Sequence, residues 1–80
     1  MIAVVETEEF LAEVKGVLSE DEHDALIFYV AQYPEADALI TETGGLRKLR
    51  WLSKGKGKRA GSRVIYYFHS MDVPLFLMAI

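Results

Sequence analysis

The chain has 80 residues, of which 51% are hydrophobic, and its twelve Asp or Glu and nine Lys or Arg give a net charge of −3. This length fits one small domain. The absence of cysteine excludes disulfides, thiolate metal sites and thiol nucleophiles, and with no secretory signal at the N-terminus it favours the cytoplasm. Since no apolar run approaches the roughly 20 residues of a membrane-spanning helix, we expect no membrane partner.

The two halves of the chain carry opposite charge. Residues 1–42 contain eleven Asp or Glu and one base, Lys15, a net charge of −10. Residues 43–80 contain eight Lys or Arg and one acid, Asp72, a net charge of +7. All eight bases lie between Arg47 and Arg63, next to a strand-like aromatic segment. This pattern predicts binding of a polyanion such as RNA or DNA.

The acidic half predicts one strand and two helices. Ile2–Val5 is a β-branched run typical of a strand. Thr7 is a candidate N-cap for a first helix, and Ser19 with Glu22 fits the capping box of a second helix that ends at Pro34. The predicted apolar stripes are Phe10, Leu11, Val14, Val17 and Leu18 on the first helix, and Leu26, Tyr29, Val30 and Tyr33 on the second.

The basic half predicts three strands. Gly44-Gly45 indicates a turn, Leu46–Leu52 alternates apolar and basic residues, and Lys54–Gly61 is a Gly/Lys-rich loop. Arg63–His69 is aromatic and β-branched, and Pro74–Ile80 is apolar on both faces, as in a central buried strand. The expected fold is α+β in the order βααβββ, with the helical hairpin on one face of a mostly antiparallel sheet.

Strand alternation assigns the candidate functional residues to one face of this sheet. Arg63, Ile65, Tyr67 and His69 share a face, whereas Val64, Tyr66 and Phe68 point to the core. Lys48 and Arg50 likewise lie opposite Leu49 and Trp51, with Trp51 expected in the core. We therefore predict a concave basic site, in which Arg63 grips a phosphate. A solvated charged loop and a simple surface arginine are the alternatives.

Several polar residues carry open alternatives. His69 could act as a general acid or base, or be structural, and Tyr67 could stack on a base or pack. His23 is expected to be solvated among acids of the first helical turn. Because the two histidines are distant in sequence and no acidic cluster accompanies His69, we expect no metal site and no cofactor.

The segments Gly44–Arg50 and Ser53–Tyr67 resemble the RelE/HigB-type toxins of bacterial toxin–antitoxin systems. The resemblance implies a metal-independent mRNA interferase, that is, an endoribonuclease that acts in the ribosomal A site and inhibits translation. The RNA 2′-hydroxyl would attack the scissile phosphate. Lys54, Lys56 and Arg63 match catalytic positions of the family. The resemblance also implies contacts to the ribosomal or messenger RNA backbone from Arg47, Lys48, Arg50, Lys58 and Arg59. Tyr67 is the separate candidate for stacking on an RNA base.

The sequence departs from this family at its end. Similar toxins continue beyond the last apolar strand with an aromatic residue, a Lys-Asn pair and a C-terminal helix, whereas this chain stops at Ile80. We therefore expect a C-terminally shortened toxin domain with impaired activity. Uncovered apolar surface would favour binding of a DNA-binding antitoxin or formation of a homodimer. Two other functions stay open: a non-catalytic module that binds RNA or the antitoxin, and a ParE-type gyrase inhibitor with the same fold.

Overall fold

The computed structural model describes residues 1–36, 38–40, 43–51 and 61–80. Its elements in chain order are β1 (Val4–Glu6), α1 (Glu8–Val14), α2 (Glu20–Gln32), β2 (Ala38–Leu39), β3 (Leu46–Trp51), β4 (Ser62–Tyr67) and β5 (Leu75–Ala79). The predicted α+β class is confirmed, as is the order of strand, two helices and further strands. The short strand β2, which has two residues and pairs with Arg47 and Lys48 of β3, was not predicted.

The strands form one sheet in the order β1-β5-β4-β3-β2. β1 runs parallel to β5, and the other neighbouring strands are antiparallel. β5 therefore lies between β1 and β4 and is an interior strand, as predicted, but it is not buried on both faces, since Phe76 is partly exposed. Leu75 and Leu77 of β5 are fully buried.

The first helix begins where it was predicted but is shorter. The Thr7 side chain accepts a hydrogen bond from the backbone N–H of Phe10 at 3.3 Å and donates to the carbonyl oxygen of Leu77 at 2.8 Å. It thus caps α1 and ties this helix to β5. Phe10 is buried, but Leu11 is 41% exposed, so its predicted core position is wrong. A seven-residue helix presents only one narrow stripe to the sheet.

The second helix has the predicted capping box. The backbone N–H of Glu22 donates to Ser19 Oγ at 3.2 Å, and the N–H of Ser19 donates to Glu22 Oε1 at 2.9 Å. Leu26 and Val30 are fully buried on the face that covers the sheet. Tyr33, the C-cap residue, is 53% exposed and so lies outside the predicted core stripe.

Both helices pack on one face of the sheet, where the core forms. Val64, Tyr66 and Phe68 are buried there, as alternation predicted. The Tyr66 hydroxyl donates to the carbonyl oxygen of Pro34 at 3.0 Å, so this buried polar group is satisfied. Trp51 packs at the edge of the core, with its ring centroid 5.5 Å from that of Tyr29.

An irregularity in β5 controls which side chains face the core. Ile65 of β4 pairs with Ala79, whereas Tyr66 pairs with Leu77, so Met78 is an extra residue on the β5 side. Such a bulge reverses the alternation beyond it. Ile80 accordingly packs against the core, and its backbone N–H donates to Glu13 Oε1 of α1 at 3.3 Å.

Candidate nucleic-acid interface

The face of the sheet opposite the helices, here called the open face, contains the candidate site. Strand register orders its side chains into three rows. Val5, Phe76, Tyr67 and Leu46 form an apolar row across four strands; Ala79, Ile65 and Lys48 form the next row; Arg63 and Arg50 form the last. None of these side chains is buried. The open face thus changes from aromatic and apolar at one end to cationic at the other.

Arg50 and Arg63 are direct cross-strand partners at the cationic end. Both side chains are exposed. Side chains in such pairs have Cβ atoms about 4.5–5.5 Å apart, and like charges directly opposite each other are destabilising. A phosphate between two guanidinium groups would replace that repulsion with charge-assisted hydrogen bonds. The pair is therefore suited to holding a phosphate.

The predicted RNA-binding residues separate into two groups. Lys48 is exposed on the open face, one row from the arginine pair. Arg47 pairs with Tyr66 and lies on the helix-covered face. Its guanidinium carbon is 5.9 Å from the centroid of the Phe68 ring, and Nη1 donates to the carbonyl oxygen of Glu35 at 3.4 Å. This placement favours a packing role for Arg47.

The predicted basic loop falls largely outside the described residues. Lys54, Lys56, Lys58 and Arg59 all belong to the segment 52–60, so the structure says nothing of their geometry. The flanking residues are described. Trp51 at the end of β3 pairs with Ser62 at the start of β4, directly beside the arginine pair. The chain therefore leaves and re-enters the sheet at its cationic end.

Tyr67 and His69 form an aromatic pair at the other end of the open face. Their rings are parallel within 4°, with centroids 6.5 Å apart. Tyr67 is partly buried and His69 is exposed. Gly45 lies against the Tyr67 ring: at φ +137°, a Cβ on this glycine would be 2.8 Å from Tyr67 Cε1. The predicted glycine turn is confirmed, and it also positions this ring.

His23 is not solvated as predicted. Its Nε2 is hydrogen-bonded to Glu6 Oε2, and its ring meets that of Phe10 edge to face at a centroid distance of 5.8 Å. This contact ties α2 to the end of β1 on the helix side. His23 also lines a groove of about 390 Å³ between the helices, with Leu11, Val14, Lys15, Leu18, Ser19 and Glu20. Sequence spacing could not reveal a pair that depends on tertiary packing.

Other site types are not supported within residues 1–36, 38–40, 43–51 and 61–80. This part of the chain contains no group of three or more His, Asp or Glu residues placed to hold one metal ion. Within the same ranges, neither helix is long and apolar enough to cross a membrane. No protein-family model matches the sequence. The interpretation of the open face therefore depends on its own residues.

Proposed function

We propose that the open face binds single-stranded RNA and that the protein is a RelE/HigB-type toxin, a ribosome-dependent mRNA endonuclease. The paired Arg50 and Arg63 side chains are the main support, because two exposed cations placed opposite each other favour an anion between them. The aromatic end of the same face offers rings for base stacking. A single strand needs both kinds of contact.

In the proposed reaction, the RNA 2′-hydroxyl attacks the adjacent phosphate and the 5′-oxygen of the next nucleotide leaves. Arg63 stabilises the negative charge that grows on the phosphate oxygens. Lys54 and Lys56 move protons to and from the reacting oxygens. Residue 69 lies six positions beyond Arg63, roughly 20 Å along extended backbone, so His69 is too distant to act on a phosphate held there.

The proposal includes the biological setting that the sequence resemblance implies. The protein acts in the cytoplasm on mRNA in the ribosomal A site, and a DNA-binding antitoxin neutralises it. The acidic half of the chain provides no surface of this kind for RNA, since residues 1–42 carry a net charge of −10. RNA is therefore approached by the open face, with the helices directed away.

Primer extension on an mRNA in a purified translation system tests the activity. The wild-type protein should produce A-site cleavage, and Arg63→Ala should reduce the rate by at least tenfold. Lys15→Ala is the matched control, because it removes an exposed cation from the acidic half. Ribosome binding without cleavage would reject the endonuclease. Inhibition of gyrase supercoiling by wild type, without translation arrest, would instead identify a gyrase inhibitor.

A non-catalytic RNA-binding module is a second candidate, and one observation favours it. On the described part of the open face there is no carboxylate, and the imidazole of His69 is at the end opposite the arginine pair. Proton transfer would thus depend on lysine side chains such as Lys54 and Lys56. This candidate predicts salt-sensitive RNA binding by the wild type with no cleavage on programmed ribosomes.

A further inference from the structure

The aromatic end of the open face contains two parallel rings, those of Tyr67 and His69. Tyr67 is the last residue of β4, and His69 follows it by two residues. Their rings are parallel within 4° and their centroids are 6.5 Å apart. Stacked bases are spaced about 3.4 Å apart, so 6.5 Å is close to two stacking distances.

We infer that Tyr67 and His69 form a slot that receives one unstacked nucleobase of a single-stranded RNA. The base lies between the phenol and imidazole rings and contacts both. This inference rests on the proposed RNA-binding function and specifies its base-binding site. Stacking on two flat rings tolerates any base, because every base has a π-face.

The backbone fixes the position of the ring on the Tyr67 side of the slot. A Cβ on Gly45 would stand 2.8 Å from Tyr67 Cε1 and 2.9 Å from the carbonyl oxygen of Phe68, so only glycine permits this close approach. The N–H of Phe68 donates to the carbonyl oxygen of Gly45 at 3.1 Å and fixes the turn. Leu46 and Phe76 flank Tyr67 on the neighbouring strands. A ring held this way loses little conformational entropy on binding.

The slot and the arginine pair must hold different nucleotides of one strand. Arg63 and Tyr67 are four residues apart on β4, about 13 Å along the strand. Ile65 and Lys48 form the row between them. An RNA that lies along β4 therefore places a phosphate at Arg63 and the base of a neighbouring nucleotide at Tyr67, with Lys48 close to the intervening backbone.

Fluorescence anisotropy with a labelled RNA of about ten nucleotides, a length within known site sizes, tests the slot. The full chain is titrated with intact RNA and with a set of RNAs that each lack one base. Tyr67→Leu should weaken binding of intact RNA by about 5- to 150-fold. In the wild type, removing one particular base should produce a similar loss. The wild type and Tyr67→Leu should bind that abasic RNA with the same affinity.

Two further variants make the result specific. His69→Ala alters an exposed side chain and should show the same selective loss as Tyr67→Leu, even if the latter variant folds poorly. Arg63→Gln should lower the affinity for intact RNA and for abasic RNAs by the same factor. If the wild type binds no RNA at low salt, the proposed function and the slot both fail. If the wild type binds RNA but binds every abasic RNA as tightly as intact RNA, the slot alone is rejected. Tighter binding of the DNA version would overturn the assignment to RNA.

Discussion

Arg50 and Arg63 face each other across β3 and β4 with both side chains exposed. Reversing one charge would turn a repulsive cross-strand pair into an attractive one. We expect Arg50→Glu to raise the free energy of unfolding by a few tenths of a kcal/mol at low salt, a gain limited by solvent screening. The same change should abolish RNA binding. Urea denaturation and anisotropy measure the two effects.

Lys48→Glu is the matched control for this charge reversal. Lys48 is also exposed on the open face, but its partner across β4 is the uncharged Ile65. Lys48→Glu should therefore weaken RNA binding without raising the free energy of unfolding. Equal stability changes in the two variants would show that Arg50 and Arg63 do not repel each other in the folded protein.

The salt dependence of RNA binding should distinguish the arginines. Each phosphate contact on a single strand contributes about 0.7 to the slope of log K against log salt concentration. Arg63→Gln should lower the slope by about this amount. Arg47→Gln should leave it unchanged, because Arg47 packs over Phe68 on the opposite face. A reduced slope in Arg47→Gln would place this residue on the RNA as well.

The two turn glycines should respond differently to alanine. Gly44→Ala introduces only the backbone strain of φ +78°, because no atom lies within 4 Å of its Cβ position. We expect it to lower the free energy of unfolding by about 1 kcal/mol. Gly45→Ala adds clashes with Tyr67 and Phe68, so its loss should exceed that of Gly44→Ala by 1 kcal/mol or more. Thermal or urea unfolding gives the comparison. Equal losses would mean that both the Tyr67 ring and the Phe68 carbonyl move away without penalty.

Removing one buried hydroxyl should destabilise the core. Tyr66 is fully buried and donates to Pro34, so Tyr66→Phe should lower the free energy of unfolding by about 0.5–1.5 kcal/mol. Tyr33→Phe, at an exposed ring, should change it by less than about 0.5 kcal/mol. If Tyr66→Phe left the free energy of unfolding unchanged, the Pro34 carbonyl oxygen would have found another hydrogen-bond donor.

Local signals in the sequence predicted most of the fold. The Ser19–Glu22 capping box and the Thr7 cap depend on residues three apart, so the helix starts were predictable. The alternation of residues 64–68 likewise identified the core face of β4. The short β2 was not predictable, because two residues carry no period and its pairing with β3 is set by tertiary structure.

The sequence predicted which face of the sheet holds the candidate site, but it did not predict how the residues on that face are paired. Alternation placed Arg50, Arg63 and Tyr67 on one side of the sheet. It could not show that Arg50 and Arg63 are direct partners, because strand register is decided by contacts between segments. The contact of Gly45 with Tyr67 and the pairing of His23 with Glu6 are also products of tertiary packing.

The parallel pairing of β1 with β5 also affects how the chain folds during synthesis. Val4 pairs with Leu75, so β1 can pair with β5 only after residue 75 has been synthesised. Thr7 likewise finds the Leu77 carbonyl only then. Pairings this distant in sequence slow folding. The β3–β4 pair, whose partners are close in sequence, can form before the β1–β5 pair, so Arg50 and Arg63 can be brought opposite each other before the sheet is complete.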